Sequence, residues 1–474
     1  MVIFLILGAA EAGLFLAVLS LYRAAGKPDV WYFLFSLPGI VFLCSSLLIM
    51  VCVTWMMRTV CSSDRQARRD ALMGASMNLL LLPLVLGSLE ATSRLLSRSS
   101  GSTETIFGIV LYPRHWVDVV STTKSVIAEM AFTSPYLVPD PTLGWTIGPS
   151  RRSASGLRFS STEGIRSPRL GVSFHDSRTR HTGMANRPAT VRIALIGDSM
   201  TFGAEVSCEE SWGHALEGLL QPDTQVLNFG VSAYGLNQTF LRYGQDVRSW
   251  NPQIVVIGIS SMMLLRINSV YPFIMNPEWF GFPFVRPRLV ENHARPVAIN
   301  APVSGTIDVS ARSINDLPYL ELDDYFQPIQ WERQGVWGPL EHSYVFRLLN
   351  SVRPPGEFMY KDVSLESIRA SQLVIRSLVQ DIREDGAIPL IVTLPYESEF
   401  GVPNERRPTI QMLTRAGLPY HDMAGCLIDQ DSYPKFVPSG AHYSSRANAR
   451  IAQCLQPVLA SEIAHLDSTG GRVD

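Results

Sequence analysis

Val191-Arg192-Ile193-Ala194-Leu195-Ile196-Gly197-Asp198-Ser199-Met200-Thr201-Phe202-Gly203 is a largely apolar run that breaks at a Gly-Asp-Ser turn and continues as a helical pattern. A short run rich in Ile, Leu and Val reads as a strand buried on both faces, the kind found inside parallel sheets. The turn then places Ser199 at the carboxyl end of that strand and at the start of a helix. Free backbone N–H groups and the helix dipole favour negative charge there, so a serine in this position suits a nucleophile whose attack generates an oxyanion.

Outward from this stretch the same alternation recurs. Gln225 to Phe229, Ile254 to Ile259 and Ile388 to Leu394 read as further buried strands. Trp212 to Leu220, Leu236 to Trp250, Leu365 to Asp385 and Ser444 to Ala464 read as helices. Strands that alternate with helices imply right-handed crossovers and a parallel sheet covered on both faces, hence a three-layer α/β domain. The Pro-rich stretch from Arg266 to Glu357 interrupts the alternation and is expected to be a lid or a small subdomain, because it is too long for an ordinary loop. Residues 94–190, ahead of the domain, have linker and turn composition.

Two further elements accompany Ser199. Leu227-Asn228-Phe229-Gly230-Val231-Ser232-Ala233-Tyr234-Gly235 follows the next strand, and Gly230 is expected to bring a second backbone N–H to the same crevice. His442, in Pro438-Ser439-Gly440-Ala441-His442-Tyr443-Ser444, stands immediately before the last helix, where a general base reaches the strand ends.

Together these pieces resemble the SGNH or GDSL hydrolases over residues 138–465, and in particular membrane-tethered bacterial members. Upstream, Pro139-Asp140-Pro141-Thr142-Leu143-Gly144-Trp145 and Thr162-Glu163-Gly164-Ile165-Arg166 look like segments that precede the Gly-Asp-Ser block in those members. Asn251-Pro252-Gln253-Ile254-Val255-Val256-Ile257-Gly258 looks like the strand of the third block. The resemblance implies a flavodoxin-like α/β/α domain over 191–465, with Ser199 as nucleophile, His442 as base, and the N–H groups of Ser199 and Gly230 facing the oxyanion. Two positions depart from the family pattern. Met262, or Ser260 in a shorter register, stands where an Asn is usual, and Ser439 and Gly440 stand where the triad Asp is usual. Ser260, Ser261 or Ser439 are weak substitutes, and Asp429 or Asp431 are candidates for reaching His442 from the preceding loop.

The first ninety residues carry much of the chain's mean hydropathy of +0.13. Residues 2–21 are nearly all apolar apart from Glu11, and 31–57 carry no charge; 71–89 form a third apolar stretch that contains Pro83. Each is long enough to cross a hydrocarbon core of about 30 Å. They are read as three transmembrane helices within a membrane region of residues 1–93. Arg58, Arg65, Arg68 and Arg69 outweigh Arg23 and Lys27 and set the second loop on the cytoplasmic side, so the hydrolase domain is expected outside, in the periplasm.

A net charge of -2 argues against a nucleic-acid partner. No cofactor or metal site is expected, since Cys208, Cys426 and Cys454 share no CxxC spacing. In an oxidising space Cys426 and Cys454 are a candidate pair across the loop that carries His442.

The expected partners are the lipid bilayer and an acyl-ester or carbohydrate substrate. The expected function is a membrane-anchored serine esterase or O-acyltransferase that handles a short acyl group, taken as acetyl, on a carbohydrate. A degenerate hydrolase fold that binds a glycan or a protein without turnover is the alternative.

Overall fold

A computed structural model of the chain describes Gln66, Arg69 and residues 85–468, except 101–102, 134–136, 148–150, 153–157, 160–179, 182–190, 276–281, 301, 303–305, 333–337, 352–362, 429–433 and 439–441. The expected spans 2–21 and 31–57 lie outside the described residues, as does most of 71–89. Residues 85–96 are helical. No helix among the described residues is long and apolar enough to cross a membrane.

The chain divides into two compact units. The first joins residues up to Thr122 with Gln327–Phe358. It holds a three-stranded antiparallel sheet, Ser97–Ser100, Thr103–Ile106 and Ile109–Val110. The helix Tyr344–Ser351 starts against the Glu90 carboxylate, which accepts from the N–H groups of Tyr344 at 2.9 Å and Val345 at 3.1 Å. The expected insertion 266–357 is therefore shared, because its residues 266–276 and 282–326 belong to the second unit.

The second unit contains the parallel sheet. A hairpin of β1 (Leu137–Asp140) and β2 (Gly144–Ile147) precedes it. Asp140 shapes the hairpin turn by accepting from the N–H groups of Thr142 and Leu143, both at 2.9 Å. Gly144 closes it with φ 81, where a Cβ would meet the Val285 carbonyl oxygen at 2.1 Å. The sheet strands are β3 (Arg180–His181), β4 (Val191–Ile196), β5 (Thr224–Asn228), β6 (Ile254–Ile259), β7 (Ile388–Thr393) and β8 (His421–Asp422). Their order is β8-β7-β6-β4-β5-β3, all parallel except β3, which runs antiparallel to β5. Apart from that edge strand, this is the flavodoxin-like order, with its switch point at β4.

Alternation along β4 builds both layers. Ala194 and Ile196 enter one core with Leu227, Val255, Ile257, Ile375 and Leu378; Ile193 and Leu195 enter the other with Val226, Val256, Trp212 and Leu455. The first core is closed by α5 (Leu365–Glu384), capped by Ser364, whose buried Ile368, Ile375, Leu378 and Ile382 recur at helical spacing. On the opposite face lie α2 (Trp212–Leu219) and α7 (Ser445–Ser468). Three shorter helices complete the set used below: α1 (Ser199–Phe202), α3 (Leu236–Arg242) and α4 (Ser261–Arg266). Leu236 to Trp250, expected as one helix, is α3 followed by a π turn at Tyr243–Val247 and a 3₁₀ turn at Arg248–Trp250. Within the stretch of linker composition stand the hairpin and an 18-residue helix, Trp116–Thr133.

Cys426 and Cys454 form a disulfide that joins α7 to the helix Met423–Leu427 across 28 residues, and Cys208 takes no part in it. In the chain-entropy account, closing a loop of that size stabilises by roughly 3 to 4 kcal/mol. Cys454→Ser is expected to lower the unfolding free energy extrapolated from urea by that amount, and a thiol reductant should have the same effect on the parent but none on the variant.

Candidate active site

The site lies at the carboxyl ends of β4, β5 and β6. Gly197 leaves β4 with φ 156, and a Cβ there would lie 2.2 Å from Thr201 Oγ1 and 2.6 Å from the Gly258 carbonyl oxygen. Only glycine lets β4, β6 and the start of α1 approach this closely. Asp198 caps α1 by accepting from the Met200 N–H at 2.9 Å. Its other oxygen accepts from Ser260 Oγ at 2.6 Å and from Arg266 Nη1 at 3.2 Å. Asp198 and Arg266 are both buried, so the carboxylate is fully engaged as a brace.

Ser199 opens α1 and is nearly buried, 5% exposed. Its hydroxyl makes no hydrogen bond among the described residues. Its carbonyl oxygen accepts from the N–H groups of Gly203 at 3.1 Å and Ala204 at 3.0 Å, which folds the chain back into a tight turn. The next residue, Glu205, has φ 65, an uncommon conformation for a residue with a side chain. Backbone held in such a region is concentrated at functional sites.

Glu205 is the functional candidate that the sequence reading missed. Its Oε2 lies 2.6 Å from His442 Nδ1. The expected acid was sought just before His442 or in the preceding loop, yet the structure supplies a carboxylate from the turn that carries Ser199. Ser439, Gly440, Asp429 and Asp431 all lie outside the described residues. The strained φ of Glu205 is invisible in sequence, and an acid a few residues beyond a nucleophile carries no spacing rule. His442 itself sits before α7, with its carbonyl accepting from the Val437 N–H at 2.9 Å. The side chain is 20% exposed.

Gly230 takes a different part from the one expected. Its N–H is given to Asn228 Oδ1 at 2.9 Å and so is not open to a substrate oxygen in this structure. The residue is instead a point of close approach, since a Cβ would lie 2.5 Å from the Phe202 nitrogen and 2.9 Å from its Cα. Ser260 follows β6 directly and its hydroxyl has one proton, which goes to Asp198. Met262 is half-buried within α4, and Ser261 Oγ donates to Glu399 at 3.0 Å. No side chain at these three positions is thus left as an oxyanion donor.

No family model and no curated relative matches the chain. Solved structures similar to it include a lipolytic protein of the G-D-S-L family from Desulfitobacterium hafniense DCB-2, at 16% identity over 55% of this chain and 95% of that one, with a TM-score of 0.29. TesA matches at 12% identity, over 56% of this chain and 97% of its own, with a TM-score of 0.31. Axe2, an acetylxylan esterase from Geobacillus stearothermophilus, matches at 14% identity over 56% and 92%, with a TM-score of 0.29. The first and third of these are described as a lipolytic protein and an esterase, but likeness at this level says nothing of the chemistry; the fold rests on the strand order.

Gly230→Ala separates the two roles of that residue, because alanine keeps the N–H and adds only the Cβ. A steric role predicts a loss of about 1 to 3 kcal/mol in urea unfolding. A role through the N–H alone predicts no change.

Proposed function

We propose that this chain is a membrane-anchored, extracytoplasmic serine esterase or O-acyltransferase, acting on acyl esters of carbohydrate and built on an SGNH-type α/β fold. The observation that carries the reading is the contact of His442 Nδ1 with the Glu205 carboxylate. A carboxylate only accepts, so Nδ1 carries the proton and donates it, which leaves the Nε2 lone pair as the base. This is the arrangement a Ser-His-acid site needs, recognised by geometry and roles rather than by sequence position.

In the reaction, Ser199 Oγ attacks the acyl carbonyl while His442 Nε2 takes the hydroxyl proton. The N–H of Ser199 faces the tetrahedral oxyanion, and Glu205 stabilises the imidazolium. His442 then protonates the departing alkoxide, which leaves an acyl-serine. Water, or a sugar hydroxyl, enters by the same steps in reverse and regenerates the serine.

The cysteine pairing supports an oxidising compartment for this domain. The arginines between Arg58 and Arg69 support the same orientation. The carbohydrate and the acetyl group rest on the sequence resemblance and this location.

A second reading is a binding module without turnover. Its support is that the Gly230 N–H and the Ser260 hydroxyl are both already committed. Loss of one oxyanion donor costs about 10² to 10³ in rate.

With p-nitrophenyl acetate and the purified protein, Ser199→Ala and His442→Ala are expected to be equally inactive. Glu205→Gln should lose up to about 10⁴ in kcat, because the amide no longer selects the tautomer. Unaltered turnover in Glu205→Gln would remove Glu205 from the triad, and unaltered turnover in Ser199→Ala would replace the enzyme reading with the binding one. For topology, alkaline phosphatase fused after Ser150 should be active and the same enzyme fused after Asp64 inactive. The opposite pattern places the domain in the cytoplasm.

A further inference from the structure

The hairpin β1–β2 reaches the loop that follows β5 through one side chain. Trp145, fully buried, donates its indole N–H to the carbonyl oxygen of Ser232 at 3.0 Å. That carbonyl belongs to the same planar peptide unit as the N–H of Ala233, and in a trans unit the two groups point in opposite directions. The Ala233 N–H makes no hydrogen bond among the described residues. Ala233 also has φ 68, a left-handed conformation disfavoured for a residue with a Cβ.

Such a conformation persists only when the surroundings over-determine it, and here they do so from three sides. Arg286, 0% exposed, donates from Nη2 to the Ala233 carbonyl oxygen at 3.1 Å and lies 5.3 Å from the centre of the Trp145 ring. Tyr234 returns its hydroxyl to the Trp145 carbonyl oxygen at 2.6 Å. The Tyr234 carbonyl oxygen accepts from Arg266 Nη1 at 3.1 Å, the nitrogen that also reaches Asp198. The loop is tied to the nucleophile turn as well, because the Val231 N–H donates to the Gly197 carbonyl oxygen at 3.1 Å.

We propose that Trp145 is a positioning residue for acyl transfer, which fixes and polarises the Ser232–Ala233 peptide so that the Ala233 N–H, in the role expected of Gly230, donates to the oxyanion. The inference rests on the esterase reading given above. A hydrogen bond accepted by the carbonyl of an amide strengthens the same amide's N–H as a donor. The indole therefore acts through the peptide without touching the substrate. Phe282 and Phe284, with ring centres 5.0 Å and 5.8 Å from that of Trp145, hold its plane.

The test uses the full-length protein in detergent with p-nitrophenyl acetate as the probe. Replacing Trp145 by β-(3-benzothienyl)alanine exchanges the indole N–H for sulfur and preserves the bicyclic shape; Trp145→Phe is the second variant. The sulfur analogue is expected to lose on the order of 10-fold in kcat, less than deletion of an oxyanion donor would cost, with KM unchanged and the protein still folded at the assay temperature, its melting temperature lowered only as the loss of one hydrogen bond requires. Trp145→Phe should show at least that loss. An analogue with the parent's kcat overturns the positioning role while leaving the esterase reading intact, and so does one altered in KM alone. A parent with no Ser199-dependent turnover overturns the esterase reading, and the positioning role with it.

Discussion

The buried carboxylate of Asp198 is the constraint on which the site depends. It cannot remain charged in an apolar interior without partners, and each of the partners it has taken comes from a different place. The Met200 N–H fixes the start of α1, Ser260 marks the end of β6, and Arg266 ends α4. One carboxylate therefore sets where a helix start, a strand end and a helix end meet. Arg266 carries the constraint further, into the Tyr234 carbonyl, so that the loop after β5 is referenced to the same point. Asp198, not the serine beside it, organises the crevice.

The partnership of Glu205 and His442 divides the remaining work. An imidazole has two nitrogens, and a carboxylate on one of them decides what the other does. Glu205 reaches that position at the cost of a left-handed backbone, tied at Ala204 to the Ser199 carbonyl. Ser199 and His442 are thus linked through a short turn and one side chain, although they lie far apart in sequence.

Much of the sheet was legible in the sequence because apolar strands buried on both faces leave an unmistakable pattern. β4 and β6 match it residue for residue, β5 is displaced by one position at both ends, and β7 stops one position earlier. β8 escaped notice because two residues carry no period. The helix Trp116–Thr133 was read as linker since it stands beside strongly polar turns. At the site, Ser199 and His442 were visible as candidates because turn residues and a loop-to-helix boundary flank them. Glu205 and Ala233 were not, since what distinguishes them is a backbone angle and an unshared N–H, neither of which a residue type reveals. Gly230 misled for the converse reason: a glycine announces freedom of conformation, whereas here it marks an absence of room.

The source of the acid also bears on how such a fold changes over time. Where one loop must carry both base and acid at fixed spacing, any insertion or deletion between them is disabling. With Glu205 in the role proposed for it, the segment ahead of His442 is released from that spacing requirement, and Phe436 and Tyr443 hold its ends together as a bridged pair. The acid's place then sets no length for that segment among descendants of this sequence. A search that demands an Asp at a set distance from the His would pass over all of them.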